Sequence, residues 1–150
     1  MKSLKKIIYS FGYLGFVPKC PGTFGTLGGV VIWVFVAGNI FWHGIACLIV
    51  LFFGLWSVNE AVKIYHHQDP QVVVIDEVMG FLVASFAIGF SWQTLMATFI
   101  LFRVFDIIKP FPCRDIEALR SPWGIILDDV MAGFYANISV RALIYFWNIS

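Results

Sequence analysis

The 150-residue sequence predicts an all-α, multi-helical integral membrane protein of about four to five apolar helices, with its polar loops gathered on one face. Three observations carry that expectation. Hydrophobic residues make up 60% of the chain and charged residues only 13%, against roughly 25% charged in an average soluble domain. Mean hydropathy is +0.86. The apolar residues come in long runs, and the ionisable ones fall in short clusters between them. Nine acids and ten bases are too few to cover a soluble domain of this length. The 16 Phe and 6 Trp suit a lipid-facing exterior with interfacial aromatics. By length, 1–150 is a single domain.

Residues 1–25 comprise a basic start (Lys2, Lys5, Lys6), a short amphipathic stretch and a Gly/Pro-rich loop ending in Pro21-Gly22-Thr23. The run after the lysines is interrupted and lacks a small-residue cleavage pattern, so no cleaved leader is expected. Apolar residues then occupy 26–37, pause at Gly38-Asn39, and resume over 40–58. A polar segment, 59–71, holds Glu60, Lys63, His66, His67 and Asp69. A second apolar pair covers 78–90 and 92–102, broken at Gly89-Phe90-Ser91. Residues 103–124 are polar and Pro-rich, and a last apolar segment covers 130–147. A helix needs about 20 apolar residues to span a bilayer. Segments 40–58 and 130–147 approach this, whereas 26–37 and 78–90 are short and must be re-entrant or extend into their polar flanks.

If each apolar pair is a hairpin, both turns face one side, and the N-terminus and polar clusters face the other. Nine of the ten Lys and Arg, all but Arg141, and all nine acids then share the cluster side. The Lys/Arg bias makes that side cytoplasmic in a multi-pass protein. Acids count little in that rule, so their gathering calls for a functional site. A net charge of +1 with no long basic run implies no nucleic-acid partner. Cys20, Cys47 and Cys113 have unrelated spacings and read as free thiols. His66 and His67 read as a solvated loop pair, and His43 as interfacial.

Four clusters hold most of the acids: Pro21-Gly22-Thr23, Asp76-Glu77, Arg103-x-x-Asp106-x-x-Lys109-Pro110, and Asp128-Asp129. Acids at a helix start are favoured by the macrodipole by about 0.3–1 kcal/mol. That accounts for one acid per helix but not for two neighbours, which point about 100° apart and repel. Oxygen ligands from two helix ends suit Mg²⁺, which keeps positions for water and phosphate. Asp76, Glu77, Asp128 and Asp129 are therefore the expected ligands, with Asp106 the next candidate. The i, i+3, i+6 spacing places Arg103, Asp106 and Lys109 near one helical face before proline ends the helix, where the two cations could clamp phosphate or anchor anionic lipid. Pro21-Gly22-Thr23 could form a loop whose amides cradle a phosphate ahead of a helix.

Other phosphatase chemistries fail on pattern. The sixth residue after Cys113 is Leu119, not the Arg that a cysteine phosphatase needs; Arg120 is one place too far. No Asp-x-Asp pair, no Lys-x₆-Arg-Pro run and no CDP-lipid transferase pattern of acids occurs.

Over about residues 11 to 147 the chain resembles the phosphatidylglycerophosphatase A family. The residues that carry this are Pro21-Gly22-Thr23, Asp69, Ile75-Asp76-Glu77-Val78, Arg103-x-x-Asp106-x-x-Lys109-Pro110-x-Pro112, Arg114, and Gly124-Ile125-x-x-Asp128-Asp129. The resemblance implies Mg²⁺-dependent hydrolysis of phosphatidylglycerophosphate to phosphatidylglycerol and phosphate, and a central helix surrounded by others. It also implies catalytic roles for Asp76, Glu77, Asp106, Asp128 and Asp129, and substrate contacts from Thr23, Arg103, Lys109 and Arg114. The family's Gly-Gly-x-Gly is here Ser121-Pro122-Trp123-Gly124, and proline removes an amide. The competing reading is a small transporter or channel subunit with an acidic ion site. Such a protein should carry acids within its apolar segments, and 27–58 and 81–102 contain none.

Overall fold

A computed structural model describes residues 1–119 and 122–147; Arg120 and Ser121 lie outside the described residues. These form seven helices and no strand: α1 (Lys2–Tyr9), α2 (Pro21–Val36), α3 (Ile40–Tyr65), α4 (Ile75–Ala84), α5 (Trp92–Ile108), α6 (Cys113–Glu117) and α7 (Trp123–Trp147), with a 3₁₀ turn at Leu14–Phe16. The all-helical expectation holds. α4 is the central helix, packed mainly on α7 and α2 and also on α3 and α5.

The two expected hairpin turns are also helix starts. Asn39 Oδ1 accepts the amides of Phe41 and Trp42 (3.0 and 3.3 Å), which caps α3. Ser91 and Thr94 form a reciprocal capping box on α5. Both short segments extend into their polar flanks. α2 begins at Pro21, where a proline at the first helical position sacrifices no hydrogen bond. Pro21-Gly22-Thr23 is thus a first helical turn and not a loop. α4 begins at Ile75 and has only 10 residues, or about 15 Å.

Because α4 stops short, its last carbonyls need donors inside the fold, where an unpaired group is expensive. Asn137 Nδ2 donates to the carbonyls of Val83, Ala84 and Phe86 (3.3, 2.8 and 3.0 Å). Arg141 Nη2 donates to those of Phe86 and Ala87 (2.9 and 3.3 Å). This accounts for the one cation expected away from the clusters. His43 is buried, and its Nε2 lies 2.9 Å from the Leu82 carbonyl. The expectation of an interfacial His43 is corrected: the end of a short central helix draws it inward.

Around α4, Phe81 meets Trp33 and Phe102 edge-on at 6.0 and 6.2 Å. Among the described residues one helix, α3, is long and apolar enough to cross a membrane. It has 26 residues, and only 28% of its most apolar stretch is buried, so it is not a covered core helix. At about 1.5 Å per residue it exceeds the roughly 30 Å hydrocarbon layer.

Candidate active site

The site depends on how closely α4 and α7 cross. A Cβ added at Gly133 would collide with the Gly80 carbonyl, and one at Gly80 would lie 2.6 Å from the Asp129 carbonyl and from the Phe102 ring. Only glycine fits at this crossing. Asp76 precedes Gly80 by four residues and Asp129 precedes Gly133 by four, so each acid sits one turn from the contact, on the same face. The crossing brings the two acid clusters together.

Carboxylate oxygens of Asp76, Glu77 and Asp129 all lie within 4.8 Å of one another. Asp76 and Asp129 are 6% and 4% exposed. Among the described residues none of the three forms an ion pair, and the buried Glu77 Oε2 has no hydrogen-bond partner. Three buried carboxylates without a cation would be strongly unfavourable. This donor set fits a hard divalent cation.

Asp128 is placed differently. Its Oδ2 accepts from Lys109 Nζ at 2.6 Å, and its Oδ1 accepts the Asp129 amide at 2.9 Å. The structure thus brings three of the four expected ligands together and gives the fourth to a lysine. Lys109 is not on the α5 face but is its left-handed C-cap (φ 47°), which turns the side chain toward α7 and α6. There it also meets Glu117 at 3.0 Å. Burial disfavours the Lys109 charge, but the bonds to Asp128 and Glu117 outweigh it and hold the pKa above the usual lysine value. Arg103 and Asp106 do share a face of α5 and are paired with each other.

α7 begins at Trp123, so Asp128 and Asp129 lie beyond its first turn. The macrodipole applies to Asp76 and Glu77, which occupy the first turn of α4, but not to the second pair. A Cβ at Gly22 would strike Glu77 Oε1 and approach Arg103 Nη1 to 3.1 Å. Gly22 therefore lets the first turn of α2 close over both groups.

These residues surround a cavity of about 700 Å³, walled by Gly22 and Thr23 of α2, Phe99, Arg103 and Ile107 of α5, the acids of α4 and α7, and Asp69 and Gln71 from the α3–α4 loop. Arg114 is not in it. Its guanidinium donates to the Ile108 carbonyl at 3.2 Å, because the turn after Lys109 carries it to the outer end of α5. His66 and His67 are exposed, as expected. Residue-type reading alone passed over Gly80 and Gly133, whose signal was the shared four-residue spacing from acid to glycine; Asp69, which stands outside the acid pairs, entered only through the family resemblance.

The fold and site define a small all-helical protein whose buried acid cluster could hold a metal ion, with two basic side chains on the same cavity; the family that it matches makes it a phosphatase. The chain belongs to the phosphatidylglycerophosphatase A family, whose family model matches residues 7–144. It is 36% identical over 137 residues to a Haemophilus influenzae protein named phosphatidylglycerophosphatase A, covering 87% of this chain and 83% of that one. It is 34% identical over 138 residues to a Bacteroides thetaiotaomicron protein named putative phosphatidylinositol-3-phosphatase, covering 84% of each. A phosphatidylglycerophosphatase A of Escherichia coli is 28% identical over 123 residues, covering 79% of this chain and 71% of that one. No solved structure matches the chain.

Proposed function

We propose that the protein removes the terminal phosphate of phosphatidylglycerophosphate at the cytoplasmic face of a bacterial inner membrane, as a multi-pass protein that uses Mg²⁺. The observation that carries this is the charge of the cavity. Six carboxylates and two cations line it, a formal charge of −4. A phosphate dianion is repelled by such a cavity unless cations enter with it. Asp76, Glu77 and Asp129 would hold the ion. When bound, Mg²⁺ would neutralise phosphoryl oxygens and lower the pKa of water.

The chain's own residues supply the rest. Arg103 faces the cavity beside Asp106, which fixes the guanidinium plane for a two-pronged grip on phosphate oxygens. Lys109, kept charged by Asp128 and Glu117, adds a point charge at the polar end. Glu77 Oε2, free of partners, is the group best suited to take a proton from the attacking water. Thr23, in the first turn of α2, lies within reach of the incoming headgroup.

The experiment is phosphate release from phosphatidylglycerophosphate by purified protein, with Mg²⁺ and with EDTA. Release that persists in EDTA would remove the metal from the reading. The name of the Bacteroides relative supports a second substrate, a phosphoinositide monophosphate, and the same assay run on phosphatidylinositol 3-phosphate separates the two by rate.

A further inference from the structure

The proposed reaction asks a phosphate on a two-chain lipid to reach a set of buried acids, so the acyl chains need a way out of the cavity. We infer that the seam between α2 and α5 is the portal for the lipid substrate and holds an acyl chain while the phosphate is in the cavity. This inference rests on the lipid-phosphatase reading above and goes beyond it by assigning a binding surface.

The cavity has two unlike lips. Asp69, Gln71 and Lys109 form a polar one. On the other side α5 contributes Phe99 and Ile107, one turn to either side of Arg103. α5 makes most of its contacts with α7, and α2 makes most of its with α4; α2 and α5 barely touch each other. The two helices therefore flank a slot that is not closed by packing. Phe81 of α4 lies fully buried beneath Phe99, ring to ring at 6.4 Å, so Phe99 is the aromatic face that an entering chain would meet.

Both sides of the slot turn apolar going away from the charges. On α2, Thr23, Leu27, Val30 and Val34 recur at steps of four, three and four and form one stripe. Only the first of them is polar and lines the cavity. On α5, Arg103, Phe99 and Met96 make the matching stripe. The α2 stripe runs from Thr23 to Val34, a rise of about 16 Å. One leaflet of a bilayer has about half of the 30 Å hydrocarbon thickness. The slot thus runs the depth of a leaflet, with cations and acids at its top and aliphatic side chains below. A lipid phosphomonoester has that same polarity from end to end. The other apolar groove, between α1, α2 and α3 and lined by Ile8, Phe11, Ile32, Ile49 and Phe53, shares no residue with the charged cavity.

The test compares Leu27→Trp, which narrows the slot, with Ile49→Trp, in the separate apolar groove between α1, α2 and α3. Phosphate release is measured on long-chain phosphatidylglycerophosphate in micelles and on chainless glycerol 3-phosphate. For Leu27→Trp the ratio of lipid to chainless turnover should fall about tenfold, since the chain contributes only to the first substrate. For Ile49→Trp it should stay within about twofold of wild type. As a second measurement, phosphatidylglycerophosphate with a photoreactive acyl terminus should label α2 and α5 along these stripes, and excess unlabelled substrate should suppress that label. Equal ratios in the two variants, or a suppressible label confined to α3, would overturn the portal. Wild-type protein that releases no phosphate from the lipid would instead overturn the parent reading, whatever surface the label marks.

Discussion

Gly80 of α4 and Gly133 of α7 meet backbone to backbone, and each follows a site carboxylate, Asp76 or Asp129, by one helical turn. The contact sets the distance between the two acid clusters. A methyl at Gly133 would meet backbone alone, the Gly80 carbonyl and the Ala84 amide nitrogen, and backbone cannot rotate out of its way. Gly133→Ala should therefore push the helices apart and destabilise the fold by about 1–3 kcal/mol. The rate of phosphate release should fall far more than the folded fraction does. Thermal unfolding in detergent beside an activity assay checks this, and a variant with wild-type rate would dissociate the crossing from the site.

The acid clusters should divide by role. Asp76→Asn and Asp129→Asn should abolish turnover and also the rise in unfolding temperature on adding Mg²⁺, with membrane insertion intact. Asp128→Asn should retain the Mg²⁺-dependent stabilisation, because its carboxylate holds Lys109 at 2.6 Å and stands outside the triad. Loss of the Mg²⁺ response in Asp128→Asn would make it a ligand after all.

The pair of Lys109 and Asp128 can be tested on its own. Lys109→Met and Asp128→Asn should each slow turnover, and the double variant should be little worse than either single one. The two residues share one hydrogen bond, so a double-mutant cycle in activity should give a coupling of about 0.5–3 kcal/mol. Additive losses would show that each acts separately.

Much of this was legible because hydrophobic runs and charge clusters obey simple periodicities. Arg103 and Asp106, three apart on a helix, could be placed on one face from sequence, and they are paired there. Lys109 obeyed the same count only in principle. Its left-handed backbone ends the helix one residue earlier and sends the side chain to α7, a matter of local termination that spacing does not encode. The separation of Asp128 from the triad follows from the 100° step between helical neighbours, which was visible. Which of the two would face α4 was not, until the Gly80–Gly133 crossing fixed the rotation of α7. The depth at which α4 ends was likewise hidden. It depends on Asn137 and Arg141, 53 and 55 residues away from the carbonyls of Ala84 and Phe86 that they bond.

Arg103→Lys separates a phosphate clamp from an electrostatic anchor. The substitution keeps the charge but loses the planar fork that Asp106 orients. With a clamp, activity should fall by about tenfold or more even in detergent micelles, where no anionic bilayer is present. An anchor would tolerate the change there. Activity close to wild type would therefore transfer Arg103 to membrane binding.

Acid trapping, together with the origin of the oxygen in the released phosphate, decides the chemistry, because water attacking the phosphorus of an acyl phosphate would label phosphate just as direct attack does. A covalent route needs a nucleophile aimed into the cavity. Of the cysteines, Cys113 is fully buried and Cys47 does not line the cavity, while Cys20 lies at its edge in a sequence that lacks the cysteine-phosphatase pattern. The acids are better suited to hold cations and protons: three form the triad, one holds Lys109 and one orients Arg103. Direct attack by water, with its proton passing to a carboxylate such as Glu77, requires no further group. A single turnover in oxygen-18-labelled water, quenched in acid, should place the label in the phosphate and none in the protein. Label in a carboxylate of Asp76, Glu77 or Asp129, or a trapped phosphoryl-protein, would replace direct attack with an acyl-phosphate intermediate on that residue.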